Sequence, residues 1–180
     1  MSEYNDLLDL TDENDNTIGT IKRGEFYEAD IKPGFIRAID VFLVNSKGEL
    51  WIPKRTAHKS IAPNGLDYSV GGHVDAGEDY KTALIREAQE EINLAIDESK
   101  LEFIAKSRRD DIGYFVELFA YLYDETPEFN PDDFVSASWI TPNNLIALLK
   151  SGTTAKTYMT ESANLLLSSE FYQNLIGETV

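Results

Sequence analysis

Apolar and polar positions change their period along the chain, and the changes mark its elements. From Gly34 to Asn45 the run F-I-R-A-I-D-V-F-L-V is almost continuously apolar, which predicts a strand buried on both faces. S-K-G turns the chain, and E-L-W-I-P-K-R returns as a second strand in which Pro53 requires a sheet edge or a bulge. A polar loop spans 56–66. D-Y-S-V-G-G-H-V follows as a short strand, where Gly71 and Gly72 permit a bulge that would free a backbone carbonyl for a ligand. The period then becomes helical: Leu84, Ala88 and Ile92 share one face, and Asp79 stands where a cap belongs. L-E-F-I-A-K-S-R-R and Y-F-V-E-L-F-A-Y-L-Y read as strands joined by D-D-I-G. T-P-E-F-N-P-D-D-F is a lid or a connector, and V-S-A-S-W-I alternates so as to bury Val135, Ala137 and Trp139. T-P-N-N-L-I-A-L-L-K is a helix, with Thr141 as cap, Pro142 in the first turn and Gly152 past the end. From Thr160 to about Ile176 the pattern gives one or two amphipathic helices, whose L-L-L cluster packs on the core or on a second copy in a homodimer. At the other end, Leu8 and Leu10 alternate with acids, T-D-E-N-D-N supplies turn chemistry, and T-I-G-T-I-K-R completes a hairpin within about 4–24.

This order predicts the α/β class: a mixed sheet between helical layers. Residues 1–180 make one domain, with N-terminal strands (about 4–34) and C-terminal helices (about 142–180) packed on it. There is no internal repeat.

Composition then removes function classes. A net charge of −16 repels nucleic acid and anionic membrane, so neither is expected as a partner. It leaves room for one small phosphorylated substrate, because a bound metal and local arginines can invert the potential in a cleft. With no cysteine, disulfides and thiolate chemistry are excluded. The start, M-S-E-Y-N-D, has neither the basic region nor the apolar core of a signal peptide, so the cytoplasm is the expected compartment.

The helix beginning near Asp79 carries the chemistry. Glu87, Glu90 and Glu91 form an arc beside the apolar stripe, with Glu91 on its border. A solvated acidic face is the plain reading of three glutamates. Glu87 and Glu91, however, are four apart, and like charges at that spacing repel, the more so beside a low-dielectric wall. A divalent cation reverses the sign. Carboxylates are hard ligands, and with two histidines and no cysteine the expected ion is Mg²⁺ or Mn²⁺. Such an ion takes remaining ligands from substrate phosphates.

The stretch from Gly72 to Leu94 resembles the box of the Nudix family, G-x5-E-x7-R-E-U-x-E-E-x-G-U, where U is a bulky aliphatic. Gly72, Glu78, Arg86, Glu87, Glu90, Glu91 and Leu94 fall in register. Asn93 replaces the final glycine, but asparagine tolerates the left-handed conformation required there. Ala88 is small for its aliphatic position. The resemblance implies a Nudix-type alpha/beta/alpha sandwich with its site where the helix meets the sheet. It implies metal ligation by Glu87, Glu90 and Glu91 with help from Gly72, a base at Glu87 or Glu90, and Arg86 fixing the ligands with Glu78.

Further residues are added from the strands and loops. Glu117 interrupts an aromatic strand, where a charge needs a partner, and is a candidate metal ligand or alternative base. Arg55 and Lys54 end the second strand and are candidates to clamp phosphate, Arg55 the better for its fork. His58, His73 and Arg37 are further candidate substrate contacts.

The wider pattern, D-E-x-D-x-x-x-G, V-F-L-V-N-S-K-G-E-L and S-V-G-G-H-V-D-A-G-E, resembles the branch holding isopentenyl diphosphate isomerase and hydrolase-like relatives. The isomerase needs a cysteine where this chain has Gly71. The expected activity is therefore metal-dependent hydrolysis of a diphosphate linkage in a nucleoside diphosphate joined to another moiety. An isoprenoid diphosphate enzyme and a non-catalytic binding module are the alternatives.

Overall fold

The computed structural model describes residues 3–177. Among these, a six-stranded sheet is built around β3 (Ile36–Val44). β3 runs parallel to β7 (Tyr114–Leu122) on one side, and β6 (Leu101–Arg109) lies antiparallel beyond β7. On its other side β3 meets β4 (Leu50–Arg55) only at Val44–Leu50, and farther along it pairs instead with β5 (Val70–His73). β4 in turn pairs with β8 (Phe134–Ile140). The sheet is mixed, as the element order predicts.

Both faces of β3 are buried, which explains its nearly continuous apolar run. Ile39, Val41 and Leu43 pack with Leu84, Ala88 and Ile92 of α2 (Tyr80–Ile92). Phe42 and Val44 point the other way, among residues of α3 (Pro142–Lys150), α4 (Met159–Ser168) and α5 (Glu170–Gly177). Fully burying Leu84 or Ile92 is worth about 1.5–3 kcal/mol each. The expected stripe is thus the face on which α2 is seated. Asp79 accepts from the Thr82 amide at 2.8 Å and starts the helix, and Asn93 ends it at φ 49°. In the C-terminal cluster Leu166 is fully buried in the core while Leu165 stays exposed.

At β4 and β8 one expectation holds and one is corrected. β4 is interior, and the bulge lies just past Pro53, where Lys54 faces Ser136 but Arg55 faces Phe134. Val135 is the extra residue. The skip turns Phe134 inward and Val135 outward, 55% exposed, so the predicted burial of Val135 fails. Ala137 and Trp139 do pack on the α2 side.

The N-terminal hairpin pairs β1 (Leu7–Thr11) with β2 (Thr17–Lys22). Its turn is held by Asp12 Oδ1, which accepts from the amides of Asn14 and Asn16 at 2.8 and 2.9 Å. A short helix, α1 (Arg23–Glu28), follows and has no counterpart in the sequence reading. Among the described residues no helix is long and apolar enough to cross a membrane.

Candidate active site

α2 packs over β5, and the contact shapes the site. β5 sits in plain antiparallel register, Ile39 opposite Gly72 and Asp40 opposite Gly71, without the bulge expected from two glycines. The glycines serve the helix instead. A Cβ on Gly72 would lie 2.0 Å from Glu87 Oε1, so the absence of a side chain makes room for that carboxylate. The Gly71 amide donates to Glu91 Oε2 at 3.0 Å.

Glu87 and Glu91 are therefore held against the sheet. Burial pushes the Glu87 carboxyl up to about 7, and the neighbouring Arg86 restrains the rise. Burial raises Glu91 well above the usual carboxylate range, with the Glu87 charge adding to it. Arg86 fixes the arrangement. Its Nε and Nη2 donate to Glu78 at 3.1 and 2.9 Å, Nη1 to Glu87 Oε1 at 2.8 Å, and Nη2 to the His73 carbonyl at 3.0 Å. Glu90 lies 3.6 Å from Arg86 Nη1 and is the open carboxylate, 61% exposed.

These groups line a cleft of about 960 Å³. Three cations paired with carboxylates line the same cleft. Arg109 donates to Asp40 Oδ2 at 2.9 Å, both nearly buried. Arg55 pairs with buried Asp67 and donates through Nε to the Ile61 carbonyl at 2.8 Å. Lys156 Nζ lies 3.1 Å from Asp67 Oδ1. Farther out, Nε2 of His73 is 3.0 Å from the hydroxyls of both Tyr27 and Tyr114. Burial, together with Arg23, Lys156 and Arg86, holds His73 well below its ordinary pKa.

Arg55, His73, Gly72, Glu78, Arg86 and the three helix glutamates thus come together in or beside the cleft. Glu117, Arg37, Lys54 and His58 do not line it. Glu117 is 3.4 Å from Lys106 Nζ, and Lys106 also pairs with Asp15. Arg37 donates through Nε to the same Asp15 at 2.7 Å, and Tyr80 Oη bonds its other oxygen. The charge in the strand has its partner, but the partner is a lysine. Lys54 is exposed at the bulge, and exposed His58 sits 3.3 Å from Thr56 Oγ1.

Sequence reasoning missed Asp40, Asp67, Tyr27 and Lys156. Asp40 had a signal, since it breaks the apolar run of β3 as Glu117 breaks that of β7. Tyr27 lies in the unforeseen α1, and nothing around Lys156 marks it.

Residues 34–162 match the family model of the NUDIX domain. The chain belongs to the Nudix family. An uncharacterized Nudix hydrolase of Nostoc sp. is 38% identical over 154 residues, covering 84% of this chain and 90% of the relative. The crystal structure of DR0079 from Deinococcus radiodurans superposes with a TM-score of 0.78 at 38% identity, covering 88% of this chain and 97% of that one. Isopentenyl-diphosphate Delta-isomerase 1 of Photorhabdus laumondii is 33% identical over 137 residues, 72% of this chain and 76% of the relative. The protein is a Nudix hydrolase, and its fold is the expected Nudix α/β architecture.

Nudix hydrolases generally use divalent metal ions. The donor set here fits one: two partly buried carboxylates, four residues apart and raised by burial, with a third open beside them. Among the described residues no three His, Asp or Glu side chains converge on one metal position. At position 71, where the isomerase resemblance asks for a cysteine, a Cβ would reach Lys156 Nζ at 3.2 Å.

Proposed function

We propose that this Nudix hydrolase cleaves the diphosphate linkage of a nucleoside diphosphate joined to a second moiety, using Mg²⁺ or Mn²⁺. One observation carries the reading: Glu87 and Glu91 stand side by side, partly buried, in a cleft that Arg55, Arg109 and Lys156 also line. The ion would be held by Glu87 and Glu91, with Glu90 and the Gly72 backbone within the same arc. When bound it neutralises charge on the phosphates and polarises the bond to be broken.

The chain's own groups do the rest. Arg86, tied to Glu78 and the His73 carbonyl, keeps Glu87 turned to the glycines, a positioning role. Arg55 and Arg109 offer guanidinium groups to phosphate oxygens. Glu90, free of close hydrogen bonds and open to the cleft, takes the proton of the attacking water. Glu117, with its carboxylate on Lys106 and outside the cleft lining, is given no step in this reading. Tyr27, Tyr114 and His73 form an edge-to-face aromatic cluster lining the cleft, which could offer a ring face to a nucleobase and supports a nucleotide-like substrate.

An isoprenoid diphosphate is the second reading, favoured by the likeness to the isomerase. Gly71 offers no side chain for proton transfer to a double bond. A panel of nucleoside diphosphate sugars, dinucleoside polyphosphates, nucleoside triphosphates and isoprenoid diphosphates, each with Mg²⁺ or Mn²⁺, tests both. Release of a nucleoside monophosphate from a nucleoside diphosphate conjugate is expected. Turnover confined to isoprenoid diphosphates would replace the first reading by the second.

A further inference from the structure

Lys156 lies on the segment between α3 and α4, far in sequence from the glycine turn and the glutamates. Its backbone is fixed. Leu66 N donates to the Thr154 carbonyl at 2.9 Å, and Lys156 N donates to the Leu66 carbonyl at 3.0 Å. These two bonds strap the segment to the loop before β5. The side chain then runs inward and is 21% exposed. Its ammonium ends 3.1 Å from Asp67 Oδ1 and 3.2 Å from where a Cβ of Gly71 would stand. The amide of that same glycine holds Glu91. The ammonium and the metal-site carboxylate therefore flank one residue from two sides.

Charge counting shows what the lysine adds. Asp40 is matched by Arg109, and Asp67, 1% exposed, is already matched by Arg55. Lys156 leaves this cluster with one positive charge more than its carboxylates. Burying an ammonium and fixing a long side chain are both costly, and Asp67 did not need a second cation. Lys156 lines the cleft together with Glu87 and Glu91, beside Glu91 across Gly71.

We propose that Lys156 is a phosphate-binding residue of this hydrolase, holding the diphosphate between its ammonium and the carboxylates of α2. The proposal rests on the metal-dependent reading above. With the cleft empty of anion, the ammonium serves as a partial counter-charge to Glu91 and Glu87. A divalent ion on those glutamates repels it, and an anionic diphosphate between the two relieves both. Metal and diphosphate should therefore respond to the lysine in opposite directions, which a merely structural residue would not produce.

The test titrates the full chain with Mn²⁺, followed by electron paramagnetic resonance of the free ion. Methylenediphosphonate, which cannot be hydrolysed, is then titrated by calorimetry at saturating Mn²⁺. In Lys156→Met, Mn²⁺ alone should bind at least as tightly as in the wild type. The Kd for methylenediphosphonate should rise about thirtyfold or more. Lys156→Arg, which keeps the charge, should recover part of the loss. Should Lys156→Met unfold, Lys156→Gln keeps a hydrogen bond to Asp67 and carries the same expectation. Unchanged diphosphonate affinity would overturn the proposal while leaving the metal reading standing, and so would equal weakening of both ligands. A wild-type protein that takes up no Mn²⁺ would instead overturn the metal reading itself.

Discussion

Two acidic clusters lie along α2, one at its first residue and one in its last two turns. At the first, Asp15 pairs with Arg37 at 2.7 Å and with Lys106, Lys106 reaches Glu117 at 3.4 Å, and Arg37 reaches Asp9 at 3.3 Å. Every carboxylate there has a cation. At the second, Glu91 is bonded by one backbone amide with Lys156 only across Gly71, and Glu87 shares Arg86 with Glu78 and Glu90. Both clusters contain a carboxylate on an otherwise packed element. What separates them is direct pairing: the first cluster shares two cations among three carboxylates in contact, whereas Glu91 touches none. The first is closed and holds the hairpin to the sheet, while the second is open to a cleft. Burial without a direct ion pair, rather than acidity, is what distinguishes the proposed metal seat at Glu91.

The sharpest way to break this contrast is to remove the open carboxylate. Glu90→Gln should lower kcat by on the order of 10²–10⁴-fold with the fold intact, measured on whichever substrate the panel yields. Gly72→Ala acts next. Its added methyl meets the end of the Glu87 side chain, which can swing away, so the melting temperature should move by only a few degrees. Mn²⁺ affinity should fall by about 10–100-fold, as for other changes that misplace a ligand. Equal activity in this variant would show that Glu87 does not need its seat on β5.

The pH dependence sharpens the same point. Glu87 is raised to about 7 in the fold, against about 4.3 in an unfolded chain. Between those values the folded state keeps a proton that the unfolded chain has released. This group's stabilising contribution is therefore complete below about pH 4 and is lost as pH rises through about 7. In a chelator, Glu87→Gln should melt above the wild type, and the gap should widen from pH 5 to pH 8. A gap that is constant or shrinks would mean that Glu87 is not held in an adverse environment. The smallest effect is expected at the closed cluster, where Glu117→Gln should change stability by under about 1 kcal/mol and turnover by less than about threefold.

The sequence made much of the positioning helix readable, because its signals are local. Asp79, the stripe of Leu84, Ala88 and Ile92, and the αL residue Asn93 each act within a few residues, and each stands where the pattern puts it. The mixed sheet followed from β3, whose apolar run admits only burial on both faces. Glu117 misled because a charge inside a strand signals a partner without saying which, and Lys106 comes from the neighbouring strand. The glycine pair was read as permitting a bulge, whereas Gly72 makes room for Glu87 from a separate element and Gly71 lies beside Lys156. Val135 was misassigned because one extra residue reverses the faces of a strand. Lys156 was unreadable, since its meaning comes from two backbone bonds to Leu66, ninety residues away in the chain.

The most direct test of the account is a Mn²⁺ titration of the wild type, Glu87→Gln, Glu91→Gln and Glu117→Gln under identical conditions. The account predicts saturable uptake by the wild type and by Glu117→Gln with matching affinity, and uptake weakened by about tenfold or more in each of the other two. Equal binding by all four proteins, or weakening in Glu117→Gln alone, would place the ion elsewhere and contradict the assignment of the α2 carboxylates as its seat.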